Sequence, residues 1–303
     1  VENFKVGALA KYGLGYEQLA KTHPRLIYCS ITGFGQTGPY APRPGYDALI
    51  QAMGGVMSLT GEPNGSPQKV GVPVADLFAG LYGCIGILAA VNHRNSTGQG
   101  QQIDIGMLDT HVAWLANQGM NYLATGENPP RLGNQHPNIA PYQEFPTKDG
   151  YIILAVGNDP TFERFCKAFG QEALLADPRF ATNPIRVQNR QLVTDTLTPV
   201  MKSKTTAEWI DALEALKIGC GPINTLEQVF ADPHVQAREM VVDMAHGSGE
   251  TVKVIANPVK LSATPPSYRS APPVLGEHTN AVLTDVLKMS AGEIAALKDK
   301  GIL

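Results

Sequence analysis

The stretch Leu26-Ile-Tyr-Cys-Ser-Ile-Thr-Gly-Phe-Gly-Gln-Thr-Gly-Pro-Tyr-Ala-Pro-Arg-Pro-Gly45 decides how the chain is read. Leu26 to Ile31 is a short run of strand type, and before it Ala8 to Lys21 has helical spacing (Leu9, Tyr12, Tyr16, Leu19) that stops ahead of Pro24. Gly33 to Gly38 then matches GxGxxG directly after the predicted strand, where a dinucleotide fingerprint would sit. Such a fingerprint must open a helix whose amide end faces the pyrophosphate. The three prolines between Pro39 and Gly45 forbid that helix, so nicotinamide and flavin sites are set aside. What remains is an extended glycine-rich loop whose backbone passes close to a ligand or a neighbour.

Outward from this stretch, helix and strand alternate. Tyr46 to Met57 reads as helix, Lys69 to Val74 as strand, Asp76 to His93 as helix and Gln101 to Ile105 as strand, which predicts an α/β layered fold. Around Gly133 to Tyr142 the texture changes to a loop rich in Gly, Asn, His and Pro, and a hairpin is predicted through Lys148-Asp-Gly150 into Tyr151 to Val156. A smaller α+β domain over 135–232 is expected to follow a large α/β domain over 1–134. Its helices carry start signals at Asn183-Pro184, Thr205-x-x-Glu208, Thr225-x-x-Gln228 and Asp232-Pro233. From Ala256 to Gly276, Pro258, Pro265, Pro266, Pro272 and Pro273 predict an extended crossing, so 233–303 is expected to be a linker and a C-terminal segment returning to the large domain. A last helix runs from Ser290 to Lys300 and stops at Gly301.

Composition narrows the function. The chain has 303 residues, 43% hydrophobic and 17% charged, with a net charge of -3, which argues against disorder and against an electrostatic grip on nucleic acid. Small-molecule partners are expected. Its 31 glycines and 23 prolines imply many tight turns. Cys29, Cys84, Cys166 and Cys220 are widely spaced without a CxxC pair, so they read as buried thiols of a reducing compartment, with the cytoplasm as the expected location. The longest uncharged apolar run, Leu77 to Val91, has 15 residues against the ~20 that a membrane span needs, so no membrane helix is expected.

Asp76 has two compatible readings. It can cap the helix that it opens, satisfying free amides, or it can be a carboxylate nucleophile held where the helix dipole favours its charge. On that helix Gly80, Gly83 and Gly86 form a flat stripe that another backbone could approach. Cys84 and His93 fall on opposite helix faces and make no dyad. Asp104 and Asp109 read as solvated or capping groups. No cluster has metal-ligand spacing, and no GxSxG elbow marks a serine triad. His136, in the Gly133-Asn-Gln-His-Pro-Asn138 loop, is either a surface residue or a substrate contact.

A resemblance then joins these pieces. Glu2-Asn3-Phe4 with Gly7, Gly13-Leu-Gly-Tyr16, Pro24-Arg-Leu-Ile-Tyr28, Gly33-Phe-Gly-Gln-Thr-Gly-Pro39, Gly45-Tyr-Asp47, Val74-Ala-Asp76 and Thr97-Gly-x-Gly100-Gln-x-Ile-Asp104 closely resemble the class III CoA-transferase family. The match continues through Pro141-Tyr-x-x-Phe145, Thr147-Lys-Asp-Gly150, Gly221-Pro-Ile-Asn224 and Pro272-Pro-x-Leu-Gly-x-His278, so it covers essentially the whole chain. The wording Tyr28-Cys-Ser-Ile-Thr-Gly33 and Ala140-Pro-Tyr-Gln143 is most similar to succinyl-CoA:glutarate-type transferases.

The resemblance implies a Rossmann-like large domain, an interlocked homodimer, and CoA transfer from an acyl-CoA to a small carboxylic acid. It makes Asp76 the nucleophile and Asp47 an assisting carboxylate. Asn3, Phe4 and Lys11 become CoA contacts, although relatives often carry Arg at the last. Gly133, Asn134, Gln135 and His136 become part of a mobile lid that excludes water. Coenzyme A enters as substrate, and no metal is implied. Arg43, beside the glycine loop, can pair with the distal carboxylate of a dicarboxylic acyl group or be a solvated arginine.

Family members carry a strand and helix ahead of the point matching Val1, and this chain is expected to start after them. Two alternatives stand beside transfer. One is an α-methylacyl-CoA racemase, disfavoured because Tyr46 stands near the racemase histidine and a phenol with a pKa of ~10 is a poor base. The other is a binding module without catalysis.

Overall fold

The computed structural model describes residues 1–303. The expected first helix is broken in two by glycine. A short 3-10 turn, Leu9–Tyr12, ends at Gly13 in the left-handed region (φ 72°), and helix α1, Tyr16–Thr22, restarts after Gly15, whose amide is held by Gln18. Strand β1, Tyr28–Thr32, follows as predicted. Glycine also splits the next helix: α2, Asp47–Met53, stops at Gly54, and Gly55 (φ 89°) precedes the single turn α3, Val56–Leu59. Lys69 to Val74 forms no strand, because the Val70 amide donates to the Gln51 side chain instead of a ladder.

Helix α4, Val74–Thr97, spans 24 residues. It exceeds the 15-residue uncharged run because Asn92 to Thr97 continue the helix until Gly98 ends it. By length and apolar composition it is therefore long enough to cross a membrane, contrary to the expectation from the run alone. One face packs on β1, on α2, and on two elements that follow: strand β2, Gln102–Gly106, and helix α5, Met107–Ala113. Leu77, Leu81, Ile85 and Leu88 are exposed. β1 and β2 pair in parallel, Tyr28 with Gln102 through Thr32 with Gly106, with α2, α3 and α4 as the crossover. The glycine stripe meets side chains rather than a backbone: Gly83 and Gly86 pack beneath Ile31 and Ile103 of this sheet. Helix α6, Ala116–Thr125, completes this part.

Strands β3, Tyr142–Pro146, and β4, Tyr151–Ala155, form the predicted antiparallel hairpin. Helices α7 (Asp159–Ala168), α8 (Ala173–Ala176), α9 (Asn183–Gln188), α10 (Arg190–Met201) and α11 (Thr206–Ala215) follow, and strand β5, Gly219–Pro222, joins the hairpin in the order β3-β4-β5. Thr205 caps α11 as its sequence signal predicts. Thr182, not Asn183, occupies the cap position of α9, which frees the Asn183 side chain to bond Ala140 and Asn138. Phe145, Ile152, Leu154, Phe162, Phe165, Leu197, Trp209 and Leu213 are buried in one core here.

The chain forms two compact units, Val1–Gly221 and Pro222–Leu303. The second holds helices α12 (Leu226–Ala231) and α13 (Pro233–Ala237), the antiparallel pair β6 (Val241–Ala245) and β7 (Thr251–Ile255), and helices α14 (Thr279–Ala281) and α15 (Ala291–Asp299). Thr225, Asp232 and Ser290 cap their helices as predicted. Mixed helix and small sheets therefore make up the fold. All four cysteines are free; Cys29 and Cys166 are buried and Cys220 is half-buried, but Cys84 lies exposed on α4, against the expectation that all four are buried.

Candidate active site

The glycine-rich loop closes on itself. Gly33 at the end of β1 and Gly45 before α2 cross so tightly that a Cβ on Gly33 would lie 2.5 Å from the Gly45 Cα. The near neighbour anticipated for this loop is thus its own other end. Asp104, on β2, accepts the Gln36 amide with both carboxylate oxygens, at 2.9 and 3.1 Å, and so anchors the loop tip; it is exposed, as the solvated reading expects, and it caps no helix. Within the loop the Arg43 guanidinium lies 4.5 Å from the Tyr40 ring centroid and 5.4 Å from that of Phe34.

This loop borders a cavity of about 620 Å³. Its other walls are the chain start and the first turns of α4. The start runs alongside β1, because the Glu2 amide donates to the Cys29 carbonyl and the Ile31 amide donates to the Glu2 carbonyl, both at 2.9 Å. That pairing puts Asn3, Phe4 and Lys5 on the wall. Asp76 faces the same space together with Arg43 and Tyr46. Gly80, one turn beyond Asp76, leaves open room where a side chain would project.

Asp76 does not cap its helix. It lies in the first turn of α4, whose cap position is Pro73. The capping duty falls to Asp47 of α2, whose Oδ1 accepts the Ala75 amide at 2.9 Å. Gln51 holds the other oxygen, donating from Nε2 to Asp47 Oδ2 at 2.7 Å. The Asp76 carboxylate is left without a protein partner. Partial desolvation lifts its pKa above the ordinary carboxylate range, and the negative charge of Asp47 adds to the rise. His111 of α5 is fully buried with both ring nitrogens unpartnered; burial lowers its pKa, while the Asp47 charge opposes that shift.

The expected site residues thus fall into two groups. Asn3, Phe4, Arg43, Tyr46 and Asp76 share the cavity, with Asp47 directly behind it. Lys11, on the 3-10 turn, and Gly133, Asn134, Gln135 and His136 do not line it. The latter segment is pinned elsewhere. The Gly133 amide donates to the Gly61 carbonyl, His136 stacks on Tyr142 at 5.1 Å, and Arg190 of α10 donates to the carbonyls of His136 and Pro137 at 3.1 and 2.9 Å. Burial lowers the pKa of Arg190. Lys5, Gln51 and the anchoring role of Asp104 escaped the sequence reading. Only Gln51 carried a signal, its i,i+4 spacing from Asp47.

Comparison with known proteins identifies the class. Residues 1–279 match the family model described as CoA-transferase family III, and the chain belongs to that family. It is 49% identical over 286 residues to a succinate–glutarate CoA-transferase of Agrobacterium fabrum, covering 94% of this chain and 72% of that protein. It is 38% identical over 303 residues to a human succinyl-CoA:glutarate CoA-transferase, covering 100% of this chain and 69% of the relative. Among solved structures, a CAIB/BAIF family protein from Brucella suis superposes with a TM-score of 0.82 at 48% identity, covering 94% of this chain and 74% of that one. The chain is accordingly a CoA-transferase, an enzyme class that acts on CoA thioesters.

Proposed function

We propose that this chain moves CoA from an acyl-CoA, succinyl-CoA being the first candidate donor, to a small dicarboxylic acid through covalent intermediates on Asp76. The observation that carries this reading is the Asp76 carboxylate, without a protein partner, at the amide end of α4 and facing the cavity. An oxygen of Asp76 attacks the thioester carbon, the C–S bond breaks, and CoA leaves as thiolate. The thiolate attacks the Asp76 carbonyl of the resulting anhydride, releasing the donor acid and leaving an aspartyl-CoA thioester. The acceptor carboxylate then attacks that thioester, and the thiolate released takes the acceptor acyl group and restores Asp76. Each step exchanges one acyl bond for another, so no oxidant or net proton is needed.

Asn3 and Phe4 would contact CoA along the cavity wall, and Lys11 a phosphate farther out. Arg43 faces the same cavity as Asp76, which supports its pairing with a distal carboxylate; Tyr46 would bound the acyl group. For the 133–136 segment to act as a lid over the anhydride, Arg190 must release it. With this reading go the division at about residue 134, a Rossmann-like large domain, a cytoplasmic location and an interlocked homodimer. Similarity to the two glutarate-type transferases favours a dicarboxylic pair.

The test is a hydroxylamine trap during turnover with succinyl-CoA and a panel of dicarboxylic acids, read by mass at Asp76. A hydroxamate at Asp76, together with loss of exchange in Asp76→Asn, is the expected result. Near-normal exchange by Asp76→Asn would refute it.

A further inference from the structure

Gln51 is a polar residue with 0% exposure, and it lies outside the cavity. Its amide has one orientation that satisfies its neighbours. The Val70 amide is a donor and requires Gln51 Oε1, at 2.8 Å, so Nε2 must face Asp47 Oδ2, which it meets at 2.7 Å. Asp47 in turn accepts the amide of Ala75, the residue before Asp76. One side chain therefore ties three segments: α2, the extended stretch that leads into α4, and, through Asp47, the first turn of α4. That first turn has no side-chain cap of its own.

We infer that Gln51 is a positioning residue for the transfer reaction, fixing the start of α4, and with it Asp76, through Asp47. The inference rests on Asp76 being the group that attacks. In this arrangement both oxygens of Asp47 are engaged in holding the helix, so Asp47 acts on Asp76 and not on the substrate. Misplacing a reacting atom by about 1 Å can cost on the order of 100-fold in rate, which sets the scale of the effect.

The polarity of the chain of bonds supplies the test. In Asp47→Asn the new amide faces the Gln51 amide donor, and in Gln51→Glu two carboxylates face each other. The double variant Asp47→Asn/Gln51→Glu restores every bond in reverse. The introduced amide at position 47 donates to the introduced carboxylate at position 51, that carboxylate still accepts from the Val70 amide, and the side-chain oxygen at position 47 still accepts from the Ala75 amide. The charged or titratable groups around the brace are Asp76 on α4, His111 on α5 and Lys69 beside Val70, and none is altered.

For the full chain turning over succinyl-CoA, each single variant should lose about 10- to 100-fold in kcat, with KM for the acyl-CoA within about twofold. The double variant should recover to within about fivefold of the parent. Gln51→Glu alone should also regain activity as pH falls, because the introduced carboxyl, once protonated, can donate to Asp47. Circular dichroism and melting temperature accompany each kinetic measurement. Single variants within twofold of the parent overturn the inference. So does a double variant that folds yet stays as slow as the singles, which is the result if Asp47 works directly on substrate, or one that fails to fold. Should the singles fail to fold, the double still decides. Asp76→Asn, run in parallel, separates the two levels: turnover by that variant sinks the Asp76 reading, whereas failure of the swap alone sinks only the brace.

Discussion

Two regions of the first unit are stabilised by different means. The part from β3 to β5 buries fourteen apolar side chains, including Trp209, Phe145, Phe162 and Phe165, around one core. The part that carries Asp76 buries only Phe34, Ile50, Ala75, Ala79 and Met107 together. In place of a large core it uses close backbone approach at Gly33 and Gly45 and side-chain clamps onto backbone amides: Asp47 on Ala75, Gln51 on Val70 and Asp104 on Gln36. Apolar burial is nondirectional and tolerates small shifts, whereas a clamp fixes a distance. A region that must place one carboxylate beside an open cavity gains from the second kind.

If that contrast holds, substitutions in the two regions should separate stability from activity. The largest effect is expected at the loop crossing. Gly33→Ala puts a Cβ 2.5 Å from the Gly45 Cα and 2.8 Å from its nitrogen, so the loop must open; initial rates should fall at least about 100-fold while the helices around Trp209 keep their near-UV signal. Next comes Arg186. It is fully buried, donates to the carbonyls of Ala140 and Phe180 and to Asp159, and lies 4.3 Å over Phe162. Arg186→Met strands those carbonyls and should cost about 3 kcal/mol by denaturant titration, with kcat nearly unchanged below the transition.

A smaller effect is expected in the pH profile. Transfer requires ionised Asp76, and both partial desolvation and Asp47 raise its pKa from 3.8. The rate should therefore fall as pH drops through a midpoint above the ordinary carboxylate range. A midpoint in kcat/KM, which reports the free enzyme, at or below 3.8 would show that neither influence reaches the reacting group. Smallest is Gly80→Ala: its Cβ meets nothing within 4 Å, so the melting temperature should stay within error, and only bulky donor acyl groups should lose rate.

Much of the architecture was legible in local residues. The strands at Tyr28 and Gln102, the hairpin at Lys148 to Gly150 and the capping boxes at Thr205, Thr225 and Ser290 depend on near neighbours in sequence, and each formed where its signal lay. Errors occurred where a partner far along the chain overrode the local pattern. Lys69 to Val74 has strand character, but Gln51 takes the amide a ladder would use. Asp76 sits where a cap belongs by spacing, but Asp47, 28 residues upstream of Ala75, reached the amide instead. Ala8 to Lys21 failed differently, because apolar spacing is blind to the left-handed turn at Gly13.

By itself the sequence determined the family, the alternation of helix and strand, and Asp76 as the carboxylate to watch, because motif residues and periodicity are properties of adjacent positions. Tertiary structure alone decided which groups surround that carboxylate. It set the cavity formed by the chain start, the loop and α4, left His136 and Pro137 under the hold of Arg190, and turned Asp47 and Gln51 into a brace. Hydrogen bonds of about 3 Å between residues tens of positions apart exist only after the chain has closed, and no local pattern encodes them.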